Sequence, residues 1–356
     1  MVFNGKTVLI TGGTGSFGKV CTRHILENYD VEKVIVFSRD ELKQHEMSQE
    51  FGDSRLRFFI GDVRDARRLW MAFQGVDIVI HAAAMKQIPA CEYNPFEAIK
   101  TNVLGAQNII EMALEHNIEK VLALSTDKAA SPINLYGATK LCSDKLFVAA
   151  NAYAGTNYQT RFSVVRYGNV IGSRGSVIPL FQKMRASGLI TITDQRMTRF
   201  WLHLDQGVQF VCDSLERMSG GEIFVPKIPT MNIMDLAKAI APECEVSFTG
   251  IRPGEKLHEI LITQDDSRST LEYDTFFIIE PQVKHANYNP LPGGRRVKEN
   301  FSYRSNNSLD ILSVQDLRRI VEQHCPTNEA GGVAVLPGLP AKASALADTV
   351  HHPSSV

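Results

Sequence analysis

The feature that most constrains this chain is TGGTGSFG, residues 11–18, set directly after the apolar run Val8-Leu9-Ile10. Its glycines Gly12, Gly15 and Gly18 have a G-x-x-G-x-x-G spacing, with Thr14, Ser16 and Phe17 between them. Glycines so placed allow a tight strand-to-helix turn and let backbone approach a phosphate, which the next helix attracts through its uncapped N–H groups and dipole. A glycine triplet alone could be a plain turn. The rest of the chain gives it weight. Strand-like runs at Lys6–Thr11, Lys33–Phe37, Leu56–Gly61, Asp77–His81, Lys120–Ser125 and Phe162–Tyr167 alternate with helical periodicity at Phe17–Tyr29, Asn94–His116 and Tyr136–Tyr153. That rhythm predicts an α/β fold, a doubly wound parallel (Rossmann) sheet covered on both faces.

Residues 1–170 are therefore read as a dinucleotide-binding domain. Beyond Gly168 the rhythm loosens into short strands (Leu189–Thr193, Glu222–Val225, Glu245–Thr249) and helices (Val177–Ala186, Asp205–Met218, Asn232–Ile240). This predicts a smaller mixed lobe over 171–325, interleaved or not with the first, and a substrate cleft between the two. Residues 326–356 are rich in Gly, Ala, Pro and Ser and read as a disordered tail. The charge balance of 38 basic against 39 acidic residues argues against a general nucleic-acid binder. Six scattered cysteines suggest neither a disulfide framework nor a zinc site, and the ten histidines lack metal-ligand spacing. With no signal-like or membrane-length apolar run, the expectation is a soluble cytoplasmic protein without a metal.

At the end of the second strand, where many NAD enzymes carry an acidic residue, stand Ser38 and Arg39, with Lys43 one turn on. Serine and arginine together suit a 2′-phosphate, which favours NADP. The plainer alternative is that Asp40 and Glu41 start a helix and Arg39 is surface charge. Asp62 and Val63 come after the third strand, at the adenine end, and Ala82, Ala83 and Ala84 after the fourth form a small-residue floor under the cofactor.

The stretch STDKAASPINLYGATK, Ser125 to Lys140, carries the chemistry. Tyr136 and Lys140 are four apart and share a helix face. A lysine ammonium beside a phenol lowers its pKa, so the phenolate can take a hydroxyl proton while hydride leaves the same carbon. Thr126 is placed to hydrogen-bond that hydroxyl. The acid–base doublet Asp127-Lys128 is not needed for hydride transfer, and an exposed ion pair is the plainer reading of it.

These residues, with HAAA at 81–84, Asn102 and RYGNV at 166–170, make the chain resemble the extended short-chain dehydrogenase/reductases over about residues 4–280. FSRDELKQ, HAAAMKQIPACEYNP, RYGNVIGSRGSVIP, ITDQRMTRFW and GIRPGEKLHE narrow the resemblance to inverting UDP-N-acetylglucosamine 4,6-dehydratases of the pseudaminic acid and flagellin-glycosylation type. The resemblance implies Lys128 as the base at the sugar C5 and Asp127 as the acid at C6. Both roles call for a neutral amine and a protonated carboxyl, which a dry cleft should favour. It also implies UDP-N-acetylglucosamine as substrate, held by Lys86, Asn169, Arg174, Val177, Arg199, Arg252, Glu255 and His258, and a homo-oligomer, dimer or hexamer. Surface salt bridges are the alternative for any one of the arginines. An NADP-dependent nucleotide-sugar epimerase or reductase is the competing activity, and a non-catalytic NADP sensor the competing class.

Overall fold

The structure is a computed structural model that describes residues 1–154, 159–171, 177–285 and 288–324. Six strands, β1 (Thr7–Thr11), β2 (Lys33–Ser38), β3 (Leu56–Ile60), β4 (Ile78–His81), β5 (Lys120–Thr126) and β6 (Arg161–Tyr167), lie parallel in the order β3-β2-β1-β4-β5-β6. All five residues of β1 are buried, as an apolar run must be when helices cover both faces of a sheet. The order reverses beside β1, so the glycine turn opens at a topological switch point, where such sheets bind ligands. The helix after that turn, Ser16–Asn28, has Gly15 at its N-cap and no side-chain cap.

The sheet does not end with β6. Ile223–Pro226 pairs with it in parallel, and Phe276–Ile279, Thr270–Glu272 and Arg295–Arg296 extend it antiparallel. The run expected as Glu222–Val225 in the small lobe is thus the seventh parallel strand of the large one. The helix Leu204–Arg217 also contributes Val208, Val211 and Leu215 to the large core. A second core gathers Ile178, Phe181, Ile190, Ile192, Met231 and Leu236. Strand Thr198–Leu202 runs between the two. Phe200 and Leu202 point into the large core and Trp201 into the small one, as the two-residue period of a strand requires.

The single helix expected over Asn94–His116 is three segments: Pro95–Ile99, a π-helical turn at Lys100–Leu104, and Gly105–Glu115. The π turn carries Asn102, which is buried. Its Oδ1 accepts from the Met85 N–H at 2.8 Å and its Nδ2 donates to the Met85 carbonyl at 2.9 Å. Inserting one residue into a helix turn re-aims a side chain, a device common at functional sites. Here it clamps the segment that carries Lys86.

Candidate active site

A cavity of about 1130 Å³ opens at the carboxyl ends of the parallel strands and runs beneath the second core. Its walls bring together Gly12, Thr14, Gly15, Ser16, Phe17, Gly18, Ser38, Arg39, Lys43, Asp62, Val63 and Ala82–Ala84 with Thr126, Asp127, Lys128, Tyr136 and Lys140. Lys86, Asn169, Val177, Arg199, Arg252 and Glu255 line it as well. Two candidates differ. His258 lies outside this lining, its Nδ1 paired with Thr198 Oγ1 at 2.8 Å. Arg174 falls outside the described residues.

At the glycine end the backbone is packed too closely for side chains. Gly12 has φ +67°, and a Cβ there would sit 2.9 Å from the Ala83 nitrogen. A Cβ on Gly18 would meet Gly13 Cα at 2.4 Å. The turn is a cradle that only glycine permits, and it fits a pyrophosphate. Asp40 is the N-cap of helix Glu41–Phe51, accepting from the Lys43 N–H at 3.0 Å, and it ion-pairs with the Lys43 ammonium. The helix start expected at Asp40 and Glu41 therefore leaves Ser38 and Arg39 on the cavity wall. Arg39 is 62% exposed and holds Asp62 only at 3.6 Å, because Arg64 already grips that carboxylate at 2.7 Å. Its guanidinium is available to a phosphate.

The reactive residues are set by a chain of buried contacts. Asn134 caps the long helix Leu135–Ala154, accepting from the Gly137 N–H at 2.8 Å. Asp144, two turns in, accepts from Ser125 of β5 at 2.7 Å and from Arg166 of β6 at 3.2 Å. These contacts lock the helix against both strands, and with it Tyr136 and Lys140. Gly137 lets the helix press on the turn at Asp127–Ala129, since a Cβ there would lie 2.2 Å from the Lys128 carbonyl oxygen.

Asp127 is 1% exposed on its side chain, and its Oδ1 accepts from Thr126 Oγ1 at 2.8 Å and from Lys128 Nζ at 3.0 Å. The doublet is not a surface ion pair. Lys128 also lies 3.5 Å from Glu259, a buried carboxylate at the end of GIRPGEKLHE to which the motif alone assigns no role. Burial works against the Lys128 ammonium, but the Asp127 and Glu259 carboxylates outweigh it and hold its pKa above an ordinary lysine's. A dry cleft was expected to neutralise Lys128, whereas the Asp127 and Glu259 carboxylates beside its ammonium work the other way.

Tyr136 differs from expectation in a similar way. Burial pushes its phenol up to about 12, opposed chiefly by the Lys128 ammonium and a hydrogen bond with Thr126 rather than by Lys140. Burial lowers Lys140 itself, against the pull of Asp144. Arg199 is also less free than expected. It donates to the carbonyls of Thr198 at 2.7 Å and Leu257 at 3.1 Å, and its Nε faces Glu259 at 3.8 Å. Of the two described arginines expected at a diphosphate, Arg252 is the more open, 65% exposed and 3.4 Å from Glu255. Among the described residues no helix is long and apolar enough to cross a membrane.

The profile of a polysaccharide biosynthesis protein family matches residues 8–281. The chain belongs to that family. A relative from Campylobacter jejuni (strain 81-176), named UDP-N-acetylglucosamine 4,6-dehydratase (inverting), is 56% identical over 90% of this chain and 98% of its own. A Rickettsia conorii relative named UDP-glucose 4-epimerase is 40% identical over 89% of this chain and 96% of its own. The X-ray structure of Pen from Bacillus thuringiensis superposes with a TM-score of 0.84 at 38% identity, covering 91% of this chain and 99% of that one. The family match takes in the glycine turn, the Asp127-Lys128 doublet, the Tyr136–Lys140 pair and Glu259.

Proposed function

We propose that the protein is an NADP-dependent UDP-N-acetylglucosamine 4,6-dehydratase that inverts C5. The product is UDP-2-acetamido-2,6-dideoxy-β-L-arabino-hexos-4-ulose, a suitable precursor for pseudaminic acid. The observation that carries this reading is the buried Asp127-Lys128 doublet, hydrogen-bonded at 3.0 Å and facing the same cavity as Tyr136. An epimerase needs only the hydride machinery. A dehydratase also needs a base and an acid.

Gly12, Gly15 and Gly18 would hold the cofactor's pyrophosphate, Arg39 and Ser38 its 2′-phosphate, and Tyr136 and Lys140 its nicotinamide end. When bound, the nicotinamide supplies a hydride acceptor for C4, a hydride donor for C6, and positive charge that draws the Tyr136 phenol down from its resting value. Tyr136 takes the C4 hydroxyl proton, with Thr126 holding the oxygen. The resulting ketone acidifies the C5 hydrogen, because the carbanion is delocalised into the carbonyl. Lys128 removes that proton, and Asp127 protonates the C6 hydroxyl as it leaves as water.

The two carboxylates favour the Lys128 ammonium, so forming the base adds to the barrier of the C5 step. The proton moves from Lys128 Nζ to Asp127 Oδ1 along their hydrogen bond. The N–H bond breaks, an O–H bond forms, and the pair becomes a neutral amine and a carboxylic acid. Both required forms arise from one transfer, with no change in the net charge of the doublet.

The 40% identity to proteins named UDP-glucose 4-epimerase supports the second reading, in which C4 is oxidised and reduced again without loss of water. Incubation with UDP-N-acetylglucosamine and NADP in deuterated water, followed by NMR of the product, separates them. Deuterium at C5 with loss of the C6 hydroxyl supports dehydration. A C4 epimer that keeps both C5–H and C6–OH would refute it.

A further inference from the structure

We propose that Glu259 is a positioning residue for Lys128: its carboxylate aims the lysine head group and fixes the charge state in which the Asp127-Lys128 doublet works. The inference rests on the dehydratase reading and deepens it.

Glu259 stands just before strand Ile260–Ile262, far along the chain from the doublet, yet its Oε1 lies 3.5 Å from Lys128 Nζ. Lys128 Nζ is therefore held between two carboxylates, Asp127 at 3.0 Å and Glu259 at 3.5 Å. The Glu259 backbone is fixed on both sides by Ser305, whose Oγ accepts from the Glu259 N–H at 2.9 Å and whose N–H donates to the Glu259 carbonyl at 2.9 Å. A side chain on so fixed a backbone can orient another. Behind the pair is a second cavity of about 180 Å³, lined by Lys128, Glu259, Arg199, Lys256, Asn134 and Asn169.

The Glu259 side chain is 3% exposed, and its Oε2 is buried without a hydrogen-bond partner among the described residues. A buried carboxylate with an idle oxygen is costly unless it serves a neighbouring cation. Two of the cations facing it are otherwise engaged: Arg199 donates to backbone carbonyls and Lys256 to the Ala130 carbonyl at 2.6 Å. Lys128 is the one whose other contact is the catalytic acid. The charged groups facing Glu259 are Asp127, Lys128, Arg199 and Lys256. Burial and then the Asp127 carboxylate raise its pKa, and the Lys128 ammonium is the first of the cations that oppose that rise.

The sign of the consequence is fixed. Removing a negative charge beside Lys128 makes every proton on the doublet easier to lose and harder to gain. The whole pH–rate profile must move to lower pH, by about one to three pH units for a carboxylate this close. A merely structural residue would lower the rate and leave the profile in place.

The test measures C5 hydrogen exchange and dehydration of UDP-N-acetylglucosamine across pH, in the full chain with NADP. Glu259→Gln is expected to shift the profile to lower pH by about one unit or more. Glu259→Asp keeps the charge but draws it back by one methylene, and is expected to move the profile less, in the same direction. A Glu259→Gln profile superimposable on wild type, at whatever rate, overturns the inference. If Glu259→Gln does not fold, an unmoved Glu259→Asp profile does so. Wild-type protein that oxidises C4 but never exchanges the C5 hydrogen overturns the dehydratase reading, and this inference with it.

Discussion

Gly137→Ala isolates a packing contact that holds the site together. In an ordinary helix interior this change stabilises by about 1 kcal/mol, because glycine is the poorer helix former. Here the added Cβ would lie 2.2 Å from the Lys128 carbonyl oxygen, 3.0 Å from its carbonyl carbon and 3.1 Å from Pro132 Cβ. The first two are backbone atoms of the very turn that carries the doublet, so no side-chain rotation relieves them. Restoring ordinary contact needs the helix and the turn to part by about 1 Å, an overpacking cost of about 1–3 kcal/mol. The sign is thus opposite to the propensity rule. The same parting moves Tyr136 away from Asp127 and Lys128, and a misplacement of that size costs about 100-fold in rate. Thermal unfolding and turnover measured on one preparation should therefore both fall. A variant as stable as wild type, or more so, with unchanged turnover would refute the close approach that sets the site's geometry.

Single groups carry further expectations. Lys128→Gln should cut C5 exchange by about 100- to 10,000-fold and slow C4 oxidation, read as reduced nicotinamide in a single turnover, by a smaller factor, since it also removes the cation that opposes the rise of the Tyr136 pKa; C5 exchange that falls no further than C4 oxidation would argue against Lys128 as the base. Arg39→Ala should weaken NADP binding by about 10- to 100-fold, the worth of a charge-assisted hydrogen bond, and leave NAD binding unchanged, as titration calorimetry can show. His81 is buried against Phe147 with its Nδ1 on Thr11 Oγ1 at 2.8 Å, and burial, assisted by Lys140, lowers its pKa from 6.5 to about 3. The unfolded chain then binds a proton that the native one refuses. Stability should fall as pH drops from about 6.5 towards 3, by up to about 1.4 kcal/mol per pH unit from this residue. Denaturant melts across that range should be flatter for His81→Gln.

The sequence alone determined the parallel sheet, its glycine turn and the Tyr136–Lys140 pair, because each is a local pattern. Buried parallel strands are apolar runs, a cradle for phosphate needs glycine where a Cβ would collide, and residues four apart on a helix share a face. The six strands β1–β6 were legible to within a residue for this reason. The small lobe was less so. Ile223–Pro226 carries no mark of which sheet it joins, and strand Thr198–Leu202 serves two cores at once by alternation. The π turn at Asn102 was invisible too, since an added residue in a helix leaves the apolar pattern nearly intact.

Tertiary structure alone decided the electrostatics. Asp127 and Lys128 are neighbours in sequence, but the sequence does not say that a glutamate 131 positions beyond Lys128 closes on the same ammonium. Nor does it say that Lys128 rather than Lys140 is the cation opposing the rise of the Tyr136 pKa. A charge acts through space over a few ångströms, whatever the distance along the chain. The residue types that can do this chemistry are written in the sequence, whereas the protonation state in which each waits is set only when distant segments fold against one another.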